Sequence, residues 1–250
     1  MSERRNWTRD ELLLAINLYC KTQFGRIHNQ NADIIHLAKK INRTPSAVSY
    51  KLANFASLDT SLSRKGASNV SKLDKEIWNE FFMDGEAIAS KSEQLLDQVK
   101  KQCNVENSEY QSSSTETEIT REVKSRVTQS FFRNMILALF DYRCCVTGLS
   151  INELLIASHI IPWSMDENHR MNPQNGLCLN AIHDKAFDRG LMCLSNDYKI
   201  IISSIVKKRQ LSTFEEDLLL KYEGNNISLP HRFLPNPSFL EGSAKAEICL

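Results

Sequence analysis

The chain lacks any unbroken apolar run of about 18 residues or more, so it predicts no membrane-spanning helix. Its first residues, MSERRNWTRDELLLAINLYC, hold no continuous apolar stretch ahead of a small-residue cleavage site and do not read as a secretory signal. It also lacks C-x-x-C spacing. Its seven cysteines, at positions 20, 103, 144, 145, 178, 193 and 249, are scattered and odd in number. Reduced thiols in a cytoplasmic protein fit that pattern better than a disulfide framework. Charge of one sign is missing too: 31 Lys and Arg stand against 30 Asp and Glu. Nor is there an internal repeat.

The near balance of charge conceals a division. Residues 1–60 carry 9 basic side chains against 5 acidic ones, whereas residues 121–250 carry 15 against 14. Between them, residues 104–120 (NVENSEYQSSSTETEIT) hold four Glu, no basic residue and no apolar run. That composition predicts a flexible polar linker. The expected organisation is therefore a helical domain over 1–103, a linker over 104–120 and a second domain over 121–250, in the α+β class. At 250 residues the chain can bury one large core or two smaller ones.

Helix signals dominate the first hundred residues. Thr8 and Glu11 stand at capping-box spacing, followed by Leu12, Ala15, Ile16 and Tyr19 on one helical face. A second helix should begin near Asn31–Asp33 and bury Ile34, Ile35, Leu37, Ala38 and Ile41. After a turn at Asn42-Arg43, Thr44-Pro45 sets an N-cap and a proline at the first helical position, where its missing N–H costs nothing. This is the outline of a helix–turn–helix. Off the apolar face of its last helix lie Ser46, Ser49, Tyr50, Lys51 and Asn54, with Arg43, Lys39 and Lys40 around the turn. Asn54 and Arg43 suit base edges, and the lysines suit phosphates. A helical bundle serving only protein contacts is the alternative. Residues 71–101 read as mostly helical, packing through Trp78, Phe81 and Phe82.

The second domain should open with a helix over about 118–142. Short β-type runs follow at Cys145–Thr147 and Leu154–Ile160. Leu177–Asn180 is another, Ile182–Phe187 a helical turn or two, Tyr198–Ser203 a strand and 212–222 a helix. LPNPSFL near the end reads as loop. Within this frame His159 ends an apolar run and precedes Pro162, which stops the strand. A neutral imidazole there can take a proton from water. Asn175 follows sixteen residues on, and His183 eight after that. The Asn175 amide can orient a histidine ring or brace its loop; Asn-Gly is also simple turn chemistry. His183, near the start of a short helix, can bind a divalent cation. Asp188 is a candidate second ligand, yet it lies five residues on and points elsewhere in a regular helix. Arg170, before Asn175, could touch phosphate, as could Arg143, Lys185 and Arg189.

Taken together, RCCVTGL, ASHIIPW, NPQNGLCLNAIHDKAFDRGLM and LPNPSFL resemble the HNH endonuclease family, in the subgroup found in bacterial restriction-type enzymes. The resemblance covers roughly residues 121–240. It implies a ββα-metal fold that hydrolyses phosphodiester bonds in double-stranded DNA with one Mg²⁺ or Mn²⁺ ion. Carried over by position, it makes His159 the general base, Asn175 the residue that positions it and His183 a metal ligand. Two departures stand out. The position before the base histidine, often Asp or His in the family, is Ser158. The two C-x-x-C pairs of many HNH domains are absent, which argues against a structural zinc and for Cys144, Cys145 and Cys178 as buried apolar residues. The segment WTRDELLLAINLYC…RTPSAVSYKLANFASLD resembles an N-terminal domain often attached to HNH nucleases. A restriction-type endonuclease is the reading that follows, with a homodimer or two sequential events needed to cut both strands. A non-catalytic DNA-binding regulator on a degenerate HNH scaffold is the alternative.

Overall fold

A computed structural model describes residues 5–62, 67, 69–103 and 119–241. It shows a mixed α+β chain in two compact units, 1–134 and 135–250. That division falls inside a helix rather than at the expected linker, of which residues 104–118 lie outside the described residues. Among the described residues no helix is long and apolar enough to cross a membrane.

The first unit is helical. Helix α1 (Arg9–Lys21) starts at the Thr8–Glu11 capping box. α2 (Ala32–Lys40) is capped by Asn31, whose side chain accepts from the amides of Asp33 and Ile34. α3 (Pro45–Ala56) is capped by Thr44. α4 (Lys72–Met83) begins at a Ser71–Asp74 capping box, and α5 (Gly85–Cys103) follows. Each start satisfies amides that a helix leaves open, which is why purely local sequence could place them. Their apolar faces meet around Leu12, Ile16, Ile34, Leu52, Phe55 and Ile77, all fully buried. Tyr19, Phe55 and Trp78 close this core, with ring centroids 6.1–6.3 Å apart. Ile35, expected inside, is 44% exposed, because α2 buries only the stripe through Ile34, Leu37 and Ala38.

Three side chains expected to read DNA are instead structural. The Lys51 ammonium lies 2.9 and 2.8 Å from the two carboxylate oxygens of Asp74, and both side chains are buried. Asp74 also accepts from the Ser71 amide at 2.9 Å, so one carboxylate joins α3 to the start of α4. Arg43 bonds Glu11 at 3.2 and 2.7 Å and the carbonyl of Asn6 at 2.8 Å, with its guanidinium 4.1 Å from the Trp7 ring centre. Burial pushes the Glu11 carboxyl up, but hydrogen bonds from Arg43, the Thr8 amide and Arg5 outweigh it and hold the group below its usual value. Asn54 is buried and donates to the Asn69 carbonyl at 3.1 Å. Tyr50 and Ser46 do face solvent, and Ser49 is half-buried.

Helix α6 (Ile119–Leu139) runs across the division into the second unit. That unit is built on a hairpin of β1 (Leu155–His159) and β2 (Gly176–Asn180). They pair antiparallel from Leu155 opposite Asn180 to His159 opposite Gly176. β2 runs directly into α7 (Ala181–Asp188), which packs back on the hairpin. A second hairpin joins β3 (Met192–Leu194) and β4 (Ile200–Ile202). Then come α8 (Ser204–Lys207), α9 (Thr213–Leu218), a 3-10 turn (Leu220–Tyr222) and α10 (Pro237–Glu241). Cys145–Thr147, expected as β, is a turn, although the Cys145 amide donates to the Cys178 carbonyl at 2.8 Å. Cys144, Cys145 and Cys178 are free and buried. Burial, with Cys144 and Cys178 nearby, pushes the Cys145 thiol well above its usual value. The expected loop LPNPSFL ends in α10, where Pro237 takes the first helical position.

Lys51→Ala would strand the Asp74 carboxylate in the core. It should lower urea-unfolding stability by about 3–5 kcal/mol, whereas the exposed Tyr50→Ala should change it by no more than about 0.5 kcal/mol.

Candidate functional site

His159 sits at the last position of β1, half-buried, with its ring edge-on to Trp163 at 5.4 Å between centres. Gly176 lies opposite it on β2 and places no side chain beside the ring. The Nε2 atom lies 3.0 Å from the main-chain oxygen of Arg170. A carbonyl can only accept, so Nε2 carries the proton in the neutral ring. Nδ1 is then the nitrogen that carries the lone pair, and a main-chain oxygen of the loop fixes this tautomer.

That loop, running from the end of β1 to the start of β2, is held by Asn175. The residue is 1% exposed. Its Oδ1 accepts from the Ile161 amide at 2.8 Å, and its Nδ2 donates to the carbonyls of Ile161 and His169 at 3.2 and 3.1 Å. Its own carbonyl accepts from the Ile160 amide at 3.0 Å. One buried amide therefore ties the residues just after His159 to the residue just before Arg170. Of the two roles expected for Asn175, bracing the loop is the one these bonds describe. Its effect on His159 runs through the Arg170 carbonyl.

Arg170 itself is a correction. Its Nε donates to the Trp163 carbonyl at 2.7 Å, one terminal nitrogen pairs with Glu167 at 3.2 Å, and the guanidinium lies 5.1 Å from the Trp163 ring centre. The side chain braces the loop, and it is the main-chain oxygen that faces the histidine. The same loop is braced by His169, which bonds Asp166 at 2.6 Å and packs edge-on to Phe239. The bond from His169 is the main reason the Asp166 carboxyl lies below its usual value.

His183 occupies the first turn of α7 and is 1% exposed. Asn180, the N-cap, accepts from the amides of Ile182 and His183 at 3.0 and 2.9 Å, and the same oxygen lies 3.0 Å from His183 Nδ1. Nε2 lies 3.1 Å from the main-chain oxygen of Leu218, and Tyr222 packs edge-on to the ring at 5.4 Å. Burial lowers the His183 pKa, against an upward pull from the Leu218 bond. Sequence reasoning passed over Asn180, although an Asn three residues before a histidine at a helix start is a readable cap signal. Nothing local could announce Leu218.

Asp188 does not join His183. α7 stays helical through Asp188, which is exposed while His183 is buried, so the two occupy different faces. Among the described residues no three His, Cys, Asp or Glu side chains gather as a cation cage. Ser158 is 3% exposed, its hydroxyl has no hydrogen-bond partner, and strand alternation turns it away from His159. On the exposed side of α7, Lys185 and Arg189 face solvent.

Residues 144–195 match the family model of the HNH endonucleases, a narrower span than the 121–240 of the sequence resemblance. No curated protein matches the chain. The match contains His159, Asn175, Asn180 and His183 together, whereas Leu218 lies beyond it.

Because His183 is held neutral, the unfolded chain takes up its proton first as pH falls. The stability tied to the neutral ring is complete above about pH 6.5 and is lost below it, toward the lower folded value. Urea midpoints measured from pH 7.5 down to 5 should fall for the native protein, and the decline should be shallower in His183→Gln.

Proposed function

We propose that this chain, whose residues 144–195 match the family model of the HNH endonucleases, is a metal-dependent DNA endonuclease of the restriction or defence type. The observation that carries the reading is the His159 ring at the last position of β1: with Nε2–H donated to the Arg170 carbonyl, Nδ1 is the nitrogen that carries the lone pair a base needs. His159 Nδ1 takes a proton from a water molecule. The water oxygen forms a bond to the scissile phosphorus, and the bond from phosphorus to the 3′ oxygen breaks. The departing 3′ oxygen takes a proton from solvent water, so the products carry a 5′-phosphate and a 3′-hydroxyl. A Mg²⁺ or Mn²⁺ ion bound at His183 would supply positive charge for the phosphate and the departing oxygen.

The remaining residues have supporting roles. Asn175 holds the loop so that the Arg170 carbonyl stays on His159, a positioning function. Asn180 holds the His183 ring through Nδ1, as the second oxygen partner of a ligating histidine does. Lys185 and Arg189 suit backbone phosphates. In the first unit, α2 and α3 with the turn between them form the element for duplex binding, in the manner of a helix–turn–helix. Its DNA-facing set is narrower than expected from sequence: Ser46, Ser49 and Tyr50, with Lys39 for phosphate. Arg43, Lys51 and Asn54 belong to the fold, and Asp188 leaves the ligand set. One such site cuts one strand, so a double-strand cut needs a homodimer or two events. DNA as substrate and the cysteines that are buried without a disulfide among the described residues suit a cytoplasmic setting.

Ser158 favours a second reading, a DNA-binding regulator on an inactive scaffold, because its hydroxyl is buried where many relatives hold a ligand. Nicking of supercoiled plasmid over a metal series separates the two. The native protein should nick with Mg²⁺ or Mn²⁺ and stop on chelation, and His159→Ala should be slower by about 10²–10⁴-fold. Undiminished cleavage by His159→Ala would sink the general-base assignment. In chelator, where binding is read without cleavage, Tyr50→Ala should weaken duplex affinity by about 1–3 kcal/mol if the tyrosine touches a base. An unchanged affinity would remove α3 from the interface.

A further inference from the structure

The torsion that aims an imidazole is broad and roughly two-fold, so the bond at Nε2 does not by itself fix where the His159 ring points. A second surface meets that ring. Pro162 stops the strand and the chain turns at once: the Met165 amide donates to the Pro162 carbonyl at 2.9 Å, with Trp163 inside the turn. The Trp163 indole lies 5.4 Å from the imidazole between ring centres, at an interplanar angle of 83°. Aromatic rings favour this edge-to-face arrangement, because the positive edge of one meets the negative face of the other. Swinging the imidazole toward the indole runs into it, and swinging it away gives up the contact.

The indole is itself held in place. Arg170 Nε donates to the Trp163 carbonyl at 2.7 Å, and the guanidinium lies 5.1 Å from the Trp163 ring centre. The main-chain oxygen of the same Arg170 is the atom 3.0 Å from His159 Nε2. His159, Trp163 and Arg170 therefore form a closed circuit in which each residue touches the other two. Trp163 acts on His159 twice, through its ring and through the residue whose carbonyl meets Nε2. The bonds of the Asn175 side chain differ in kind, because they end on the main chain at Ile161 and His169 and touch neither ring.

We propose that Trp163 is a positioning residue for His159, its indole being the wall that fixes the direction of the imidazole. This rests on the nuclease reading, in which the base must be aimed at a water molecule, and deepens it. A misplacement of a reacting group by about 1 Å can cost on the order of 10²-fold in rate.

The test measures nicking of supercoiled plasmid by the full-length chain at saturating protein with Mg²⁺, together with duplex affinity in chelator. Trp163→Leu keeps the loop filled but removes the ring. It should slow nicking by about 10²-fold and leave affinity unchanged, and Trp163→Phe should recover most of the loss. The decisive comparison is made in His159→Ala. A residue that acts through His159 has nothing left to act on there, so adding Trp163→Leu should cause no further loss of the residual rate. An equal loss in both backgrounds overturns the proposal and leaves His159 as the base. So does native-like nicking by Trp163→Leu, or a loss confined to affinity, which would make the indole a DNA contact. Failure of the native protein to nick, or undiminished nicking by His159→Ala, overturns the nuclease reading and the positioning role together.

Discussion

A single buried amide, that of Asn175, governs the geometry on which the second unit depends. Its bonds to Ile161 and His169 bring the two ends of a long connection together. Together with the bonds of Arg170 to Trp163 and of His169 to Asp166, that tie holds the Arg170 carbonyl against His159. The protonation pattern of the ring, and so the identity of its basic nitrogen, depends on that carbonyl. A buried side chain with its hydrogen bonds satisfied is costly to disturb, because each broken bond leaves a polar group without water. The same economy of means appears at Asn180, which caps α7 and orients His183 with one oxygen.

Some of the charge in the first unit is used for folding. The excess of basic residues over 1–60 invited a nucleic-acid reading, yet Arg43 holds Glu11 and Lys51 holds Asp74 inside the structure. Removing either partner of such a pair is far worse than never having had it, since an isolated charge cannot be solvated there. Tyr50 and Ser46 on α3 and Lys39 on α2 remain exposed. A basic segment is therefore a poor guide to the residues that meet DNA, whatever it says about the segment as a whole.

Legibility in the sequence followed the range of the interaction. The starts of α1, α2, α3 and α4 were readable because a cap and the amide it satisfies lie within a few residues. The runs that form β1 and β2 and the short helix after them were readable from their apolar residues, whereas their pairing as a hairpin was implied only by the family resemblance. β3 is only three residues long and was missed, and α10 hid in a proline-rich stretch. Ile35 was misassigned because periodicity marks a stripe without fixing its width. Asp188 could be doubted from helix geometry alone, and it lies exposed at the end of α7.

By itself the sequence determined the α+β composition, the helix starts and the order of His159, Asn175 and His183 along a strand, a loop and a helix. Those properties depend on neighbours a few residues apart, and on a motif that survives as a string. Tertiary structure alone decided which nitrogen of His159 is basic, which basic residues are buried, and what stands against His183. Each of those is a contact between residues distant in the chain. Two of the decisive partners, the carbonyls of Arg170 and Leu218, are main-chain atoms. Every residue has a carbonyl, so no choice of side chain can mark in advance the one that the fold will turn toward the site.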